Sequence, residues 1–209
     1  MKKKVLGYWD YTVILTYLGM LFAYLGIMNA IGQEYRNAIL CLMMAGVCDM
    51  FDGAVAATKS RNVSEKRFGI QIDSLSDLIS FGLLPSIFVY MISGRTKITG
   101  IICAMFALCA LIRLAYFNVL EEERQQATSE KRKSYLGVPV TTIAVLLPLV
   151  YMIYANVVQS NVCFPLLLSV VGIGYLSPIK IKKPGTVGKI CILVLGIAEV
   201  LAILCFLGK

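Results

Sequence analysis

Long apolar runs separated by short polar segments predict a bundle of membrane-spanning helices. A helix needs about 20 mostly apolar residues to cross a bilayer. Seven runs reach or approach that length, and they cover residues 11–31, 36–57, 71–93, 97–118, 138–158, 162–178 and 188–207. None of them alternates apolar and polar residues as the strands of a membrane barrel do. The pattern therefore predicts an all-α integral membrane protein.

Composition and charge agree with this prediction and add an orientation. Of the 209 residues, 58% are hydrophobic and 15% are charged, whereas soluble domains carry about 25% charged residues. If the N-terminus is cytoplasmic, 16 of the 20 Lys and Arg residues fall on the cytoplasmic side, as the positive-inside rule requires. We therefore expect a multi-pass protein of the cytoplasmic membrane. The same excess of Lys and Arg gives the net charge of +8. Because these residues flank membrane helices, they do not form a soluble basic face that could bind nucleic acid.

Four aspartates within 29 residues lie at the edges of the second and third runs, and they are Asp49, Asp52, Asp73 and Asp77. A carboxylate at the centre of a membrane helix costs about 2.5–3.5 kcal/mol, and four placed together also repel one another. Bound cations relieve both penalties, and Mg²⁺, Mn²⁺ and Ca²⁺ prefer oxygen ligands. The sequence thus predicts a divalent-cation site at the cytoplasmic boundary of the membrane.

The spacing places these acids in two pairs that can face each other. Asp49 and Asp52 are i, i+3 neighbours, and Asp73 and Asp77 are i, i+4 neighbours, so each pair shares one helix face. Residues 58–70 are predicted to form a loop that lets the two helices run antiparallel. The other long polar segment, 119–135, is predicted to extend the fourth helix.

Clustered carboxylates suit phosphoryl transfer, because the cations they hold neutralise a phosphoanhydride and polarise its phosphorus. Small residues beside the acids, Gly53, Ala56 and Gly69, would let a ligand or a second helix approach the backbone. The sequence has no histidine. A carboxylate, Lys, Tyr, Cys or water must therefore move any proton.

The acids and small residues form the pattern DxxDGxxA at 49–56, followed by GxxxDxxxD at 69–77. This pattern resembles the hallmark of the CDP-alcohol phosphotransferases, also called phosphatidyltransferases. Residues 73–86, 113–118 and 135–140 are similar to the bacterial and archaeal phosphatidylserine synthase branch. The resemblance implies a six-helix membrane domain over 1–185. Residues 186–209 would be an appended C-terminal transmembrane helix.

The resemblance also implies roles for individual residues. Asp49, Asp52 and Asp73 would be metal ligands, and Asp77 would be the general base and a further metal contact. The cofactor would be a divalent cation, Mg²⁺ or Mn²⁺, with two ions per site.

A second group of residues would bind CDP-diacylglycerol, and its members are Gly53, Ala56, Lys59, Arg61 and Gly69. The family usually has Arg directly after the motif's Ala, whereas this chain has Ala57. Lys59 or Arg61 could supply the missing cation for the CDP phosphates.

The same resemblance favours L-serine as the acceptor, with phosphatidylserine and CMP as products. Arg113 could hold the serine carboxylate and Asn118 could add a hydrogen bond, although Arg113 could equally be a positive-inside anchor. A homodimer is expected by resemblance. Three alternatives stay open: another acceptor such as glycerol 3-phosphate or an inositol phosphate, a divalent-cation transporter, and an inactive homologue that binds CDP-lipid.

Overall fold

The computed structural model describes residues 6–127, 134–155, 160–182 and 185–206. Its helices, apart from single turns, are α1 Ile14–Ile31, α2 Tyr35–Ala56, α3 Val63–Asp77, α4 Leu84–Ile92, α5 Lys97–Ala127, α6 Ile143–Ile153, α7 Cys163–Leu176 and α8 Thr186–Phe206. Two three-residue strands, β1 Ser134–Leu136 and β2 Lys180–Lys182, pair antiparallel. This pairing connects the segment before α6 to the segment before α8.

Within the described ranges, four helical segments are long and apolar enough to cross a membrane, and they are Ile14–Ile31, Tyr35–Ala56, Val63–Ile92 and Lys97–Arg124. Three shorter apolar helices follow at Val140–Ile153, Cys163–Leu176 and Leu193–Cys205. Each predicted run is thus matched by a helix, which confirms the all-α membrane architecture. The division of the chain at residue 185 stays a prediction.

The predicted loop at 58–70 is wrong in its second half, because α3 already begins at Val63. Asn62 and Glu65 form a capping box. The Asn62 side chain accepts from the Glu65 N–H at 2.8 Å, and the Glu65 side chain accepts from the Asn62 N–H at 2.8 Å. These bonds satisfy N–H groups that a helix start leaves without partners. Gly69 therefore lies inside α3 rather than ahead of the helix.

The helix that carries two of the acids changes geometry directly after them. A π-helical turn spans Leu78–Leu83 between α3 and α4, and Pro85 lies in the first turn of α4. Proline removes one backbone donor and crowds the carbonyl four residues earlier. Pro85 thus follows a wide turn that begins at the residue after Asp77.

Small residues let α1 lie close to the other helices. The buried face of α1 is a stripe at three- and four-residue spacing, and it consists of Thr16, Gly19, Ala23, Gly26 and Ala30. A Cβ at Gly19 would lie 3.3 Å from the Cys48 Cβ on α2, and one at Gly26 would lie 2.8 Å from Leu84 on α4. The stripe thus fixes how closely α1 approaches the acid-bearing part of the bundle.

Candidate active site

Two helices bring the four aspartates into one cluster. Asp49 and Asp52 lie in the last turns of α2, and Asp73 and Asp77 lie at the end of α3. One carboxylate oxygen from each of Asp49, Asp52 and Asp73 lies within 4.8 Å of the others. The Asp49 carboxyl group pairs with that of Asp77, and the Asp52 group pairs with that of Asp73. The two pairs therefore meet across the helix interface, as their spacing predicts.

The cluster has the composition and size of a divalent-cation site. The four carboxyl groups line one cavity of about 10 Å³, together with polar residues such as Thr16, Ser76 and Ser80. That volume accommodates the centre of about one water-sized sphere. Mg²⁺ binds oxygen at about 2.0–2.1 Å and Ca²⁺ at about 2.3–2.6 Å, so two opposed ligands lie about 4.0–4.2 Å apart around Mg²⁺ and about 4.6–5.2 Å apart around Ca²⁺. The three carboxylate oxygens all lie within 4.8 Å of one another, a separation close to these distances.

The small residues near the cluster do not all serve the same purpose. A Cβ added at Gly53 would find no atom within 4 Å, so the face of α2 beside Asp52 is open. A Cβ added at Gly69 would lie 2.8 Å from the Arg61 guanidinium. Gly69 thus lets Arg61 lie against the backbone of α3. Ala56 is the last residue of α2 and is half-buried.

Asn118 and Arg113 lie on α5, which packs against α3. The Ser74 hydroxyl, next to Asp73, donates to Asn118 Oδ1 at 2.7 Å. Arg113 is only 8% exposed, and its guanidinium lies 5.8 Å from the centre of the Phe117 ring. Such burial is unlike a positive-inside anchor, which keeps its charged end at the membrane surface.

Arg113 also lines a cavity with a volume of about 300 Å³. The rest of its wall includes Phe117, Tyr175 and Ser177. The Tyr175 hydroxyl donates to the Val140 carbonyl at 2.9 Å and interacts electrostatically with both Arg113 and Asp77. The cavity wall therefore contains one buried cation, Arg113, and one residue that interacts with the acidic cluster.

A family model described as CDP-alcohol phosphatidyltransferase matches residues 11–175. The chain belongs to this family. The matched range begins just before α1 and ends within α7, so it contains every residue of the cluster and of the neighbouring cavity wall up to Tyr175. Enzymes of the CDP-alcohol phosphatidyltransferase family are transferases that generally use a divalent metal.

Three relatives show which members of the family are similar to the chain. CDP-diacylglycerol–serine O-phosphatidyltransferase of Saccharomyces cerevisiae is 34% identical over 125 residues, which are 58% of this chain and 44% of the relative. Archaetidylserine synthase of Methanothermobacter thermautotrophicus is 30% identical over 151 residues, 72% of this chain and 61% of the relative. CDP-diacylglycerol–serine O-phosphatidyltransferase of Bacillus subtilis is 30% identical over 164 residues, which are 77% of this chain and 81% of the relative. The chain thus spans less than two thirds of the first two relatives.

Lys59, one of two candidates to replace the family's arginine, is held by the N-terminal segment. Its Nζ lies 2.8 Å from Asp10 Oδ2 and 3.8 Å from Glu65 Oε1. Asp10 also accepts hydrogen bonds from the N–H and hydroxyl of Thr12. The Lys59 contact, followed by those from Thr12, lowers the pKa of Asp10 to about 2. The hydrogen bond that Lys59 donates to Asp10 in turn raises the pKa of Lys59. Arg61, which lies against Gly69, is therefore better placed than Lys59 to replace the family's arginine.

Sequence reasoning missed two polar residues of the cluster, Thr16 on α1 and Ser76 on α3. Both are 7% exposed. The available signal was the small-residue stripe on α1, which predicts close packing of that helix. The stripe alone does not reveal which neighbour the Thr16 hydroxyl meets.

Proposed function

We propose that the chain is a CDP-diacylglycerol–serine O-phosphatidyltransferase, which makes phosphatidylserine and CMP from CDP-diacylglycerol and L-serine. The observation that carries this proposal is the meeting of four carboxyl groups in one cavity, with three oxygens within 4.8 Å. Membership of a family of CDP-alcohol transferases supplies the reaction class. The names of the relatives from yeast and Bacillus subtilis support serine as the acceptor.

The proposed reaction is a direct displacement at the lipid-linked phosphorus. When bound, a divalent cation, Mg²⁺ or Mn²⁺ and in our proposal two per site, would neutralise the diphosphate and polarise that phosphorus. Asp49, Asp52 and Asp73 would hold the metal, and Asp77 would add a further contact. Asp77 takes the proton of the serine hydroxyl. The serine oxygen bonds to the lipid-linked phosphorus, the bond to the bridging oxygen breaks, and CMP leaves with that oxygen.

The substrates are assigned to the two sides of the cluster. The open face at Gly53 and the Arg61–Gly69 contact support binding of the CDP group beside α2 and α3, with Ala56 at the edge and Lys59 available if its ion pairs open. Arginine suits phosphate because its planar fork donates two parallel hydrogen bonds.

Serine is assigned to the side of α5. Arg113 pairs with its carboxylate, and Asn118 lies beside Asp73 through Ser74. In the described part of the cavity wall Arg113 is the one cationic residue. A phosphorylated acceptor would require a denser cluster of cations, so the composition of this wall favours serine over glycerol 3-phosphate or an inositol phosphate.

The membrane context completes the proposal. The positive-inside bias supports a cytoplasmic N-terminus in the cytoplasmic membrane, with the acids facing the cytoplasm. A homodimer is proposed on the family resemblance. Light scattering of the detergent-solubilised protein, corrected for bound detergent, would give twice the chain mass of 23.0 kDa.

A direct assay tests the function. Purified protein in vesicles receives CDP-diacylglycerol, Mn²⁺ and one radiolabelled acceptor at a time: L-serine, glycerol 3-phosphate or an inositol phosphate. We expect label in lipid from serine alone, with one CMP released per lipid formed. Label from another acceptor would overturn the choice of serine. Binding of CDP-diacylglycerol without CMP release would identify an inactive homologue, and metal uptake into the vesicles would identify a transporter.

A further inference from the structure

Thr16, in the first turn of α1, contacts both helices that carry the acids. Its hydroxyl Oγ1 donates to Asp52 Oδ2 at 3.1 Å. Its backbone carbonyl accepts from Ser76 Oγ at 3.2 Å, and Ser76 lies between Asp73 and Asp77. One residue of the first helix is thus bonded to both halves of the cluster.

Close packing of α1 against α2 accompanies these contacts. A Cβ at Gly19, one turn after Thr16, would lie 3.3 Å from the Cys48 Cβ, and the Ala45 carbonyl is also near at 3.7 Å. At this point the helix therefore lies closer to α2 than an alanine would fit without a small shift. Thr16 and Ser76 are each 7% exposed, so water competes little for their hydrogen bonds.

The bond from Thr16 matters because Asp52 has few donors around it. Its neighbours in the cluster are carboxyl groups, which repel it when all are ionised. Besides Thr16 and the paired carboxyl group of Asp73, the remaining donor to Asp52 among the described residues is the backbone N–H of Gly53. A carboxylate that ligates a metal needs such outer contacts to fix its orientation, and their loss typically lowers metal affinity 10- to 100-fold.

We propose that Thr16 is a positioning residue for the metal site, and that its hydroxyl holds one oxygen of Asp52 toward α1 so that the other faces the cation and Asp73. This inference rests on the proposed function, because it requires that Asp52 be a metal ligand. It extends the site from the two acid-bearing helices to α1. The first helix then contributes to metal binding and is not only a membrane anchor.

The test is a Mn²⁺ titration of the purified protein without substrate, in which electron paramagnetic resonance measures the free ion. Thr16→Val keeps the shape of the side chain and removes the hydroxyl, whereas Thr16→Ser keeps the hydroxyl. Thr99→Val is the matched control, since Thr99 is 6% exposed and its hydroxyl bonds to Thr96 at 2.9 Å, in the first turns of α5.

We expect the Kd for Mn²⁺ to rise at least about 10-fold in Thr16→Val. It should stay within about twofold of wild type in Thr16→Ser and in Thr99→Val. In steady-state assays the Mn²⁺ concentration at half-maximal rate should rise in Thr16→Val while the KM for serine stays unchanged. If Thr16 had only a structural role, Thr16→Val would change the KM for serine together with the Mn²⁺ dependence. If the loss of any buried hydroxyl had this effect, the Kd for Mn²⁺ would also rise in Thr99→Val.

Wild-type Mn²⁺ affinity in a folded Thr16→Val protein would overturn the inference and leave the metal site standing. Equal losses in Thr16→Ser and Thr16→Val would also overturn it, because the hydroxyl would then not be the operative group. If wild-type protein bound no Mn²⁺, both the inference and the proposed metal site would fall. Should the valine variant not purify as a single species, Thr16→Ala removes the same hydroxyl and is judged by the same titration.

Discussion

Replacing Asp77 by asparagine separates proton transfer from metal binding. The amide has the shape of the carboxyl group and can still donate a hydrogen bond to Asp49, its partner across the interface. The compact trio of metal-ligand candidates, Asp49, Asp52 and Asp73, stays complete in this variant. The change therefore removes the proposed base and leaves three carboxylates for the cation.

The expected loss follows from this division of roles. A positioned general base typically contributes 10²- to 10⁴-fold to a rate, which corresponds to about 2.7–5.4 kcal/mol of barrier at about 1.36 kcal/mol per tenfold. We expect kcat for serine incorporation to fall by that factor in Asp77→Asn. The Kd for Mn²⁺ should rise less than about tenfold, because Asp77 is not one of the three aspartates whose oxygens lie within 4.8 Å of one another.

Three measurements decide the outcome for Asp77→Asn, namely radiolabelled serine incorporation, Mn²⁺ titration and equilibrium binding of CDP-diacylglycerol. Glu123→Gln is the control, since Glu123 is an exposed acid on α5; it should match wild type in all three. Turnover within about threefold of wild type would refute the role of Asp77 as base. A parallel collapse of Mn²⁺ affinity and turnover would assign Asp77 to the metal instead.

Three further predictions concern the metal, the open face and the N-terminal segment. Asp52→Ala should abolish Mn²⁺ binding and turnover, and wild-type Mn²⁺ affinity in this variant would remove the basis of the metal site. Gly53→Ala should stabilise α2 by up to about 1 kcal/mol, because the added Cβ meets nothing, yet raise the KM for CDP-diacylglycerol severalfold; an unchanged KM would show that no substrate approaches there. Asp10→Asn should lower stability by no more than about 1 kcal/mol, since its pair with Lys59 is partly exposed and such pairs contribute little. Because the pKa of Asp10 is lowered to about 2, the pair contributes fully above pH ~4 and is lost as the pH falls toward 2; thermal melts of both proteins at pH 7 and at low pH should converge at the acidic end.

The sequence by itself determined the elements and the pairing of the acids. Apolar runs indicate helices that contact lipid, so the number and order of these helices can be predicted from the sequence without knowing the fold. The spacings 49/52 and 73/77 put each acid pair on one helix face, because helix geometry is local. That geometry predicted the two-pair cluster before the helices were placed.

The prediction differs from the structure in two polar segments. The predicted extension of the fourth helix over 119–135 is confirmed as far as Ala127, but Ser134 and Tyr135 lie in β1. The first seven residues of α3 are mostly polar, so hydropathy predicts a loop over 63–69, whereas the capping box of Asn62 and Glu65 starts a helix there. The signal was present in the sequence as Asn-x-x-Glu, and it depends on backbone hydrogen bonds rather than on polarity.

Only the tertiary structure decided which distant side chains complete the site. Thr16 reaches Asp52 across 36 residues, and Asp10 reaches Lys59 across 49. The burial of Arg113 beside a cavity likewise depends on how α5 and α7 pack. Such contacts depend on the rotation and separation of whole helices, which packing at residues such as Gly19 sets. A sequence pattern records which residues share a face of one helix, but the partner of that face depends on how several helices pack together.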